Sequence, residues 1–187
     1  MRKLQVFNTI SADGFFTDGS GDMSWAHRHD EEWAAFSNGN AAGSGELLFG
    51  RVTYDMMAAF WPTAQAAQML PQVAAGMNAM RKYVVSRTLR EPRWQNTTVL
   101  TGDLAAAVQV LKARPGPDIV ILGSGSTVSQ LAAAGLIDAY QLVLSPTILG
   151  KGRTLFETIE RRLSLRLTNT RSFRNGNVVL WYEPADG

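Results

Sequence analysis

Residues 119–127 read Ile-Val-Ile-Leu-Gly-Ser-Gly-Ser-Thr. Four apolar residues, three of them β-branched, run directly into a glycine turn. A segment with helical spacing follows and stops at Gly135. An apolar run without alternation reads as a strand buried on both faces, which parallel sheets require. A glycine turn that opens a helix presents free backbone N–H groups and the positive end of the helix dipole, so it suits an anion. The alternative is a tight turn that simply needs glycine. The full dinucleotide fingerprint would place a third glycine at position 128 and an acid about twenty residues later. Those positions hold Val128 and Val143. What remains is a strand–glycine–helix anion site without the rest of that unit.

Working outward, the same strand-to-helix alternation recurs. Leu4 to Ile10, Leu47 to Phe49, Lys82 to Ser86, Thr98 to Leu100 and Tyr140 to Leu144 read as strands. Thr17 to Met23 reads as a Gly- and Asp-rich loop. Asp30 reads as an N-cap with Glu31 and Glu32 in the first turn, and Trp33 and Phe36 share one face of that helix. Small residues fill Asn38 to Ser44. A further helix begins near Val52, and Pro62 to Ala79 is helical with a break at Pro71. Asp103 caps a helix carrying Leu104, Val108 and Leu111, and Pro115-Gly116-Pro117 stops it. Leu165 to Phe173 and Val178 to Tyr182 form a hairpin across Arg174-Asn175-Gly176-Asn177, where Asn-Gly is the turn signal. The expected fold is α/β, with a mostly parallel central sheet, flanking helices and a C-terminal antiparallel hairpin. Neither repeat nor linker is visible, so residues 1–187 read as a single domain.

Composition narrows the chemistry. Of 187 residues, 45% are apolar and 18% charged, enough for a core and contrary to disorder. The absence of cysteine removes disulfide frameworks, thiolate metal sites and cysteine nucleophiles, and fits a reducing cytoplasm. A net charge of +2 does not announce a nucleic-acid partner. No run has the length of a membrane span and no targeting segment is visible, so a soluble cytoplasmic protein is expected. Gly150-Lys151-Gly152-Arg153-Thr154 lacks the upstream glycine and the hydroxyl after lysine of a phosphate loop. His27 and His29, the only histidines, lack an acidic partner at ligand spacing, so no metal is expected. No Gly-x-Ser-x-Gly elbow is present.

Two other junctions resemble the glycine turn in character. Phe49-Gly50-Arg51-Val52-Thr53 places a glycine, a fixed cation and a hydroxyl at a strand-to-helix junction, and Val84-Val85-Ser86-Arg87 places a hydroxyl and a guanidinium at a strand end. Arginine's planar donors suit phosphate, although a surface arginine is the alternative at each site. All three junctions lie at carboxyl ends of expected strands, where open α/β sheets bind ligands.

The order of motifs resembles the dihydrofolate reductase-like superfamily. It runs Ser-x-Asp-Gly after the first strand, Leu-Phe-Gly-Arg-x-Thr-Tyr, Val-Val-Ser-Arg-Thr-Leu, then Ile-Leu-Gly-Ser-Gly. Gly135-Leu136-Ile137-Asp138 and Pro146-Thr147-Ile148-Leu149-Gly150-Lys151-Gly152 resemble signatures of the branch containing the C-terminal reductase domain of the bifunctional riboflavin-biosynthesis deaminase/reductase. The likeness spans about Leu4 to Tyr182. It implies an NADPH-dependent reductase with a sheet of the dihydrofolate reductase type. By that resemblance Gly50, Arg51 and Thr53 hold cofactor phosphates, Ser86 and Arg87 receive the 2′-phosphate, and Gly123, Ser124 and Gly125, with Ser126 and Thr127, reach the pyrophosphate. Serine stands at 124 where true dihydrofolate reductases carry a second glycine.

The nicotinamide would lie near Thr9, Ile10 and Ser11, under a loop carrying Trp25 on the substrate side. Asp30 takes the place of the carboxylate beneath the substrate, or is only a helix cap. The riboflavin branch has a substrate lysine near the first strand, where this chain has Phe15 and Phe16. The expected activity is NADPH-dependent reduction of a small heteroaromatic or pyrimidine-type substrate, closest to 5-amino-6-(5-phosphoribosylamino)uracil reductase. Dihydrofolate reduction, a non-catalytic NADPH-binding module and a bare scaffold are the alternatives. Members of this branch commonly dimerise, so a homodimer is expected, with the apolar hairpin around Trp181 and Tyr182 as its surface.

Overall fold

The first strand, β1 (Leu4–Ser11), buries Leu4, Val6 and Asn8 on one face and leaves Gln5, Phe7 and Thr9 half-buried on the other. That two-residue period organises the whole molecule. The computed structural model describes residues 1–28, 30–42 and 45–185, so His29 and the end of the small-residue stretch, Gly43 and Ser44, lie outside the described residues.

After β1 come β2 (Thr17–Asp18), α1 (Glu31–Ala42), β3 (Glu46–Gly50), α2 (Arg51–Phe60), α3 (Ala64–Met69) and α4 (Pro71–Ala79). β4 (Lys82–Val85), β5 (Thr97–Leu100), α5 (Leu104–Ala113), β6 (Ile119–Leu122), α6 (Gly125–Ala133) and β7 (Ala139–Ser145) follow. The chain closes with β8 (Gly152–Arg153), β9 (Leu165–Ser172) and β10 (Val178–Pro184). Eight strands form one sheet in the order β5-β4-β3-β6-β1-β7-β10-β9. The pairings from β5 across to β7 are parallel, and β10 pairs antiparallel with both β7 and β9. This is the expected α/β sheet with its C-terminal hairpin.

The hairpin loop is closed by the Phe173 N–H, which donates to Asn177 O, and Gly176 adopts φ +90° in the turn. Leu70 precedes Pro71, and the residue before a proline avoids helical geometry, which separates α3 from α4. A two-stranded sheet, β2 with β8, joins segments whose sequences carry no strand signal. The expected loop from Thr17 is therefore partly a strand. The pairing fits because Gly152 lacks a Cβ, which would stand 2.0 Å from Thr17 O.

The two sheet faces are covered differently. On one, α5 and α6 pack Val108, Leu111, Val128 and Leu131 onto Leu4, Val6 and Ile121. On the other, α2 and α4 cover the β3–β4 half, where Tyr54 and Met77 meet Phe49 and Val84. α1 covers the opposite half, where Trp33 and Phe36 meet Phe173 and Trp181. The rings of Trp181 and Phe36 lie 6.3 Å apart, and Trp181 is half-buried within the subunit. β1 and β6 lie between the two helical covers, and that gap is the site described next. Among the described residues, no helix is long and apolar enough to cross a membrane.

Candidate functional site

A cavity of about 1660 Å³ fills this gap and extends to the carboxyl ends of the strands. Its floor is the half-buried face of β1 and β6, with Gln5, Phe7, Thr9, Val120 and Leu122, joined by Gln141 from β7. α1 contributes Ser37 and Asn40 to one wall, and α2 and α4 contribute Met56, Met57 and Met77 to the other. Typical small-molecule pockets occupy about 300–1,000 Å³, so this space suits more than one small ligand.

At the carboxyl end three strand ends converge, two of them strand-to-helix junctions. β3 delivers Gly50 and Arg51, β4 delivers Ser86 and Arg87, and β6 delivers Gly123 to Thr127, all lining the cavity. Neither α2 nor α6 has a side-chain N-cap. Their first N–H groups therefore need an acceptor from outside the helix. Gly123 at φ +57° and Ser124 at φ +60° are consecutive left-handed residues, a conformation that costs an L-residue such as serine energy.

Two hydrogen bonds hold the turn in place. The Gly50 N–H donates to Ser124 Oγ at 2.8 Å, and the Ser124 N–H donates to Thr53 Oγ1 at 3.0 Å. Asn8 Nδ2 donates to Gly123 O at 3.0 Å. A Cβ on Gly123 would stand 2.9 Å from Thr53, so the first position of this turn must be glycine on steric as well as dihedral grounds. The sequence reading missed Asn8, because a lone asparagine in a strand carries no signal of what it faces.

Three arginines reach the same end. Arg51 Nε donates to Asp55 Oδ2 at 2.6 Å along α2. Arg153 on β8 donates to Glu157 at 3.3 Å, and its guanidinium carbon lies 5.9 Å from the Phe16 ring centre. Arg87 is exposed and has no hydrogen-bond or ion-pair partner among the described residues. Ser86 Oγ accepts from the N–H groups of Thr88 and Leu89, which shapes the turn that presents Arg87. Arg153 was passed over because its glycine–lysine setting fails as a phosphate loop. The β2–β8 pair, and not the motif, puts it here. That pair is fastened by Asp13, whose carboxylate accepts from Ser11 Oγ at 2.6 Å and Gly150 N at 2.7 Å. These hydrogen bonds, the Ser11 hydroxyl foremost, hold the Asp13 carboxyl below its ordinary pKa.

Of the residues the resemblance implied, Thr9, Gly50, Arg51, Thr53, Ser86, Arg87, and Gly123 through Thr127 line the cavity. Ile10, Ser11, Trp25 and Asp30 are not among the residues that line it. Ser11 is fully buried, with its hydroxyl committed to Asp13 and to the Phe15 N–H. Trp25 Nε1 donates to Asp22 O within its own loop. Asp30 Oδ1 accepts from the Trp33 N–H at 2.6 Å and so caps α1. Among the described residues no cluster of His, Asp or Glu could hold a metal ion.

Sheet order, helical covers and the convergent junctions define an α/β domain of the dihydrofolate reductase type. The match to the RibD C-terminal domain covers residues 2–179, and the chain belongs to that family. It is 28% identical over 183 residues to the uncharacterized protein YyaP of Bacillus subtilis strain 168, covering 97% of this chain and 94% of YyaP. A protein of Shewanella sp. PV-4, provisionally named for riboflavin biosynthesis, superposes with TM-score 0.75 at 22% identity, covering 98% of this chain and 99% of that one. Dihydrofolate reductase from Enterococcus faecalis, complexed with NADP(H), superposes with TM-score 0.63 at 15% identity over 98% and 97% of the two chains.

Proposed function

We propose that this protein is a reductase that takes NADPH as hydride donor and reduces a C=N or related bond in a small heteroaromatic molecule. Family membership supports the reductase class. The observation that carries the reading is the polarity of the cleft. One end gathers two uncapped helix N-termini and three guanidinium groups, while its floor is apolar or amide-lined. A dinucleotide with a 2′-phosphate has the matching shape, polyanionic along most of its length and uncharged at the ring that reacts.

In this reading the N–H groups at the start of α6 and those beside Gly50 and Arg51 hold the pyrophosphate region. Arg87 and the Ser86 hydroxyl hold the 2′-phosphate, and Arg153 adds a third cation. Thr9, at the carboxyl end of the exposed face of β1, lies where that face meets the junctions. When bound, the reduced nicotinamide supplies the hydride. The chain supplies position and dryness: the sheet floor and the methionine wall exclude water and fix the substrate plane. Among the described residues no acid lines the middle of the floor.

The test is a titration of NADPH and NADH against wild type, Arg87→Ala and Arg51→Ala by fluorescence quenching. A charge-assisted contact to the 2′-phosphate is worth about 1.5–3 kcal/mol, or roughly ten- to a hundredfold in affinity. Arg87→Ala is expected to lose that factor for NADPH and almost none for NADH, while Arg51→Ala weakens both alike. Equal losses for the two cofactors in Arg87→Ala would overturn the assignment.

A further inference from the structure

We infer that the substrate half of the cleft takes an uncharged, unphosphorylated heteroaromatic lactam, and discriminates against anionic substrates. This rests on the reductase reading above, which gives the arginine end to the cofactor. Among the described residues five charged ones line the cavity: Arg51, Arg87, Asp103 and Arg153 at the carboxyl ends of the strands, and Asp118 just before β6 at the opposite end. Among the described residues no charged side chain lines the length between them. Asp118 is already spent, accepting from Lys3 N at 2.7 Å and from Gln5 Nε2 at 3.1 Å.

The floor that remains is Phe7, Val120 and Leu122, flanked by two neutral amides. Gln5 is held by its NH₂ group, which leaves its amide oxygen as an acceptor. Gln141 sits beside Phe7 in the β1–β7 register and has no hydrogen-bond partner among the described residues. An acceptor and a free carboxamide on one apolar floor suit the N–H and C=O of a lactam ring. A phosphate or carboxylate there would be buried without a cation, a cost far above that of a paired polar group. The facing wall is Met56, Met57 and Met77, unbranched side chains that adapt to a flat apolar shape. The phosphorylated aminopyrimidine of the riboflavin pathway is therefore a poor fit to this floor.

The test uses two probes with one ring system, quinolin-2-one and its 4-carboxylate, titrated against the protein saturated with NADP⁺, with tryptophan fluorescence as the readout. Quinolin-2-one is expected to bind at least tenfold tighter than the carboxylate. Gln141→Arg, which sets a cation on the floor, should reverse the order, and Met57→Lys gives an independent second cation should the first variant fail to fold. Equal or tighter binding of the carboxylate to wild type, no binding of either probe, or an unchanged ratio in the folded cationic variants would overturn the inference. Cofactor affinity is measured separately on the same samples. Loss of NADPH preference with lactam selectivity intact would count against the reductase reading alone.

Discussion

Thr53→Val tests whether the phosphate-facing turn is held by the helix beside it. Thr53 Oγ1 accepts the Ser124 N–H at 3.0 Å, and both residues are buried. Valine keeps the branch and nearly the same helix propensity but removes the acceptor. The Ser124 N–H would then be buried and unpaired, at a cost of about 1–3 kcal/mol. The new methyl would also take the place of an oxygen that lies 3.0 Å from Ser124 N, closer than an unbonded carbon packs, so no compensating gain in packing is available. For a chain of this size each kcal/mol lowers Tm by about 2–4 °C. Thr53→Ser is the control: it keeps the acceptor and loses one methyl, roughly 0.8 kcal/mol. Urea unfolding of the cofactor-free protein, followed by circular dichroism, should rank wild type, then Ser, then Val. If Val unfolds with wild type, or Ser falls as far as Val, the turn is held by something other than this hydrogen bond.

Other expectations follow from the same geometry. Asp30 Oδ1 caps α1, and asparagine caps as well, so Asp30→Asn should retain stability and turnover, whereas Asp30→Ala should lose about 1 kcal/mol; a large loss of turnover in Asn would assign Asp30 to the chemistry. Lys82 is fully buried, its ammonium held by the carbonyls of Asn78 and Met80, and burial pushes its pKa down to about 8 from an ordinary 10.5. The unfolded chain binds the extra proton between those values, so stability should rise with pH from about 8 to 10.5, by roughly 3 kcal/mol in all. Burial pushes Tyr140 up to about 12, so the unfolded chain loses that proton first and stability should fall from about pH 10 to 12. Lys82→Met should abolish the rise, and a wild-type profile flat from pH 8 to 10 contradicts this account. Finally, β9 is an edge strand exposed along its whole length, with Leu165 and Leu167 in the open. We propose that it pairs with a second copy, and light scattering at micromolar concentration that finds only a 20.4 kDa species would refute this.

The strands, the caps at Asp30 and Asp103, the break at Pro71 and the three glycine or arginine junctions were legible in the sequence because each is a local matter. An apolar run, a capping carboxylate or a proline acts within a few residues of itself, and its physics does not depend on what lies across the fold. The mostly parallel sheet follows from the alternation of such signals. Strand order does not: nothing local tells β3 and β1 to flank β6, and that choice alone puts Gly50, Ser86 and Gly123 around one space. The two-residue strands β2 and β8 carry no signal because each is stabilised only by the other, and with them came Arg153. The same limit holds for Asp30, Ser11 and Trp25. Their residue types suit a site, but whether a carboxylate or hydroxyl faces a ligand or its own backbone depends on the direction in which tertiary packing turns it. The uncharged floor is likewise a property of the fold, since Gln5, Phe7, Val120 and Gln141 share a surface only once β1, β6 and β7 are side by side and the helices leave them uncovered.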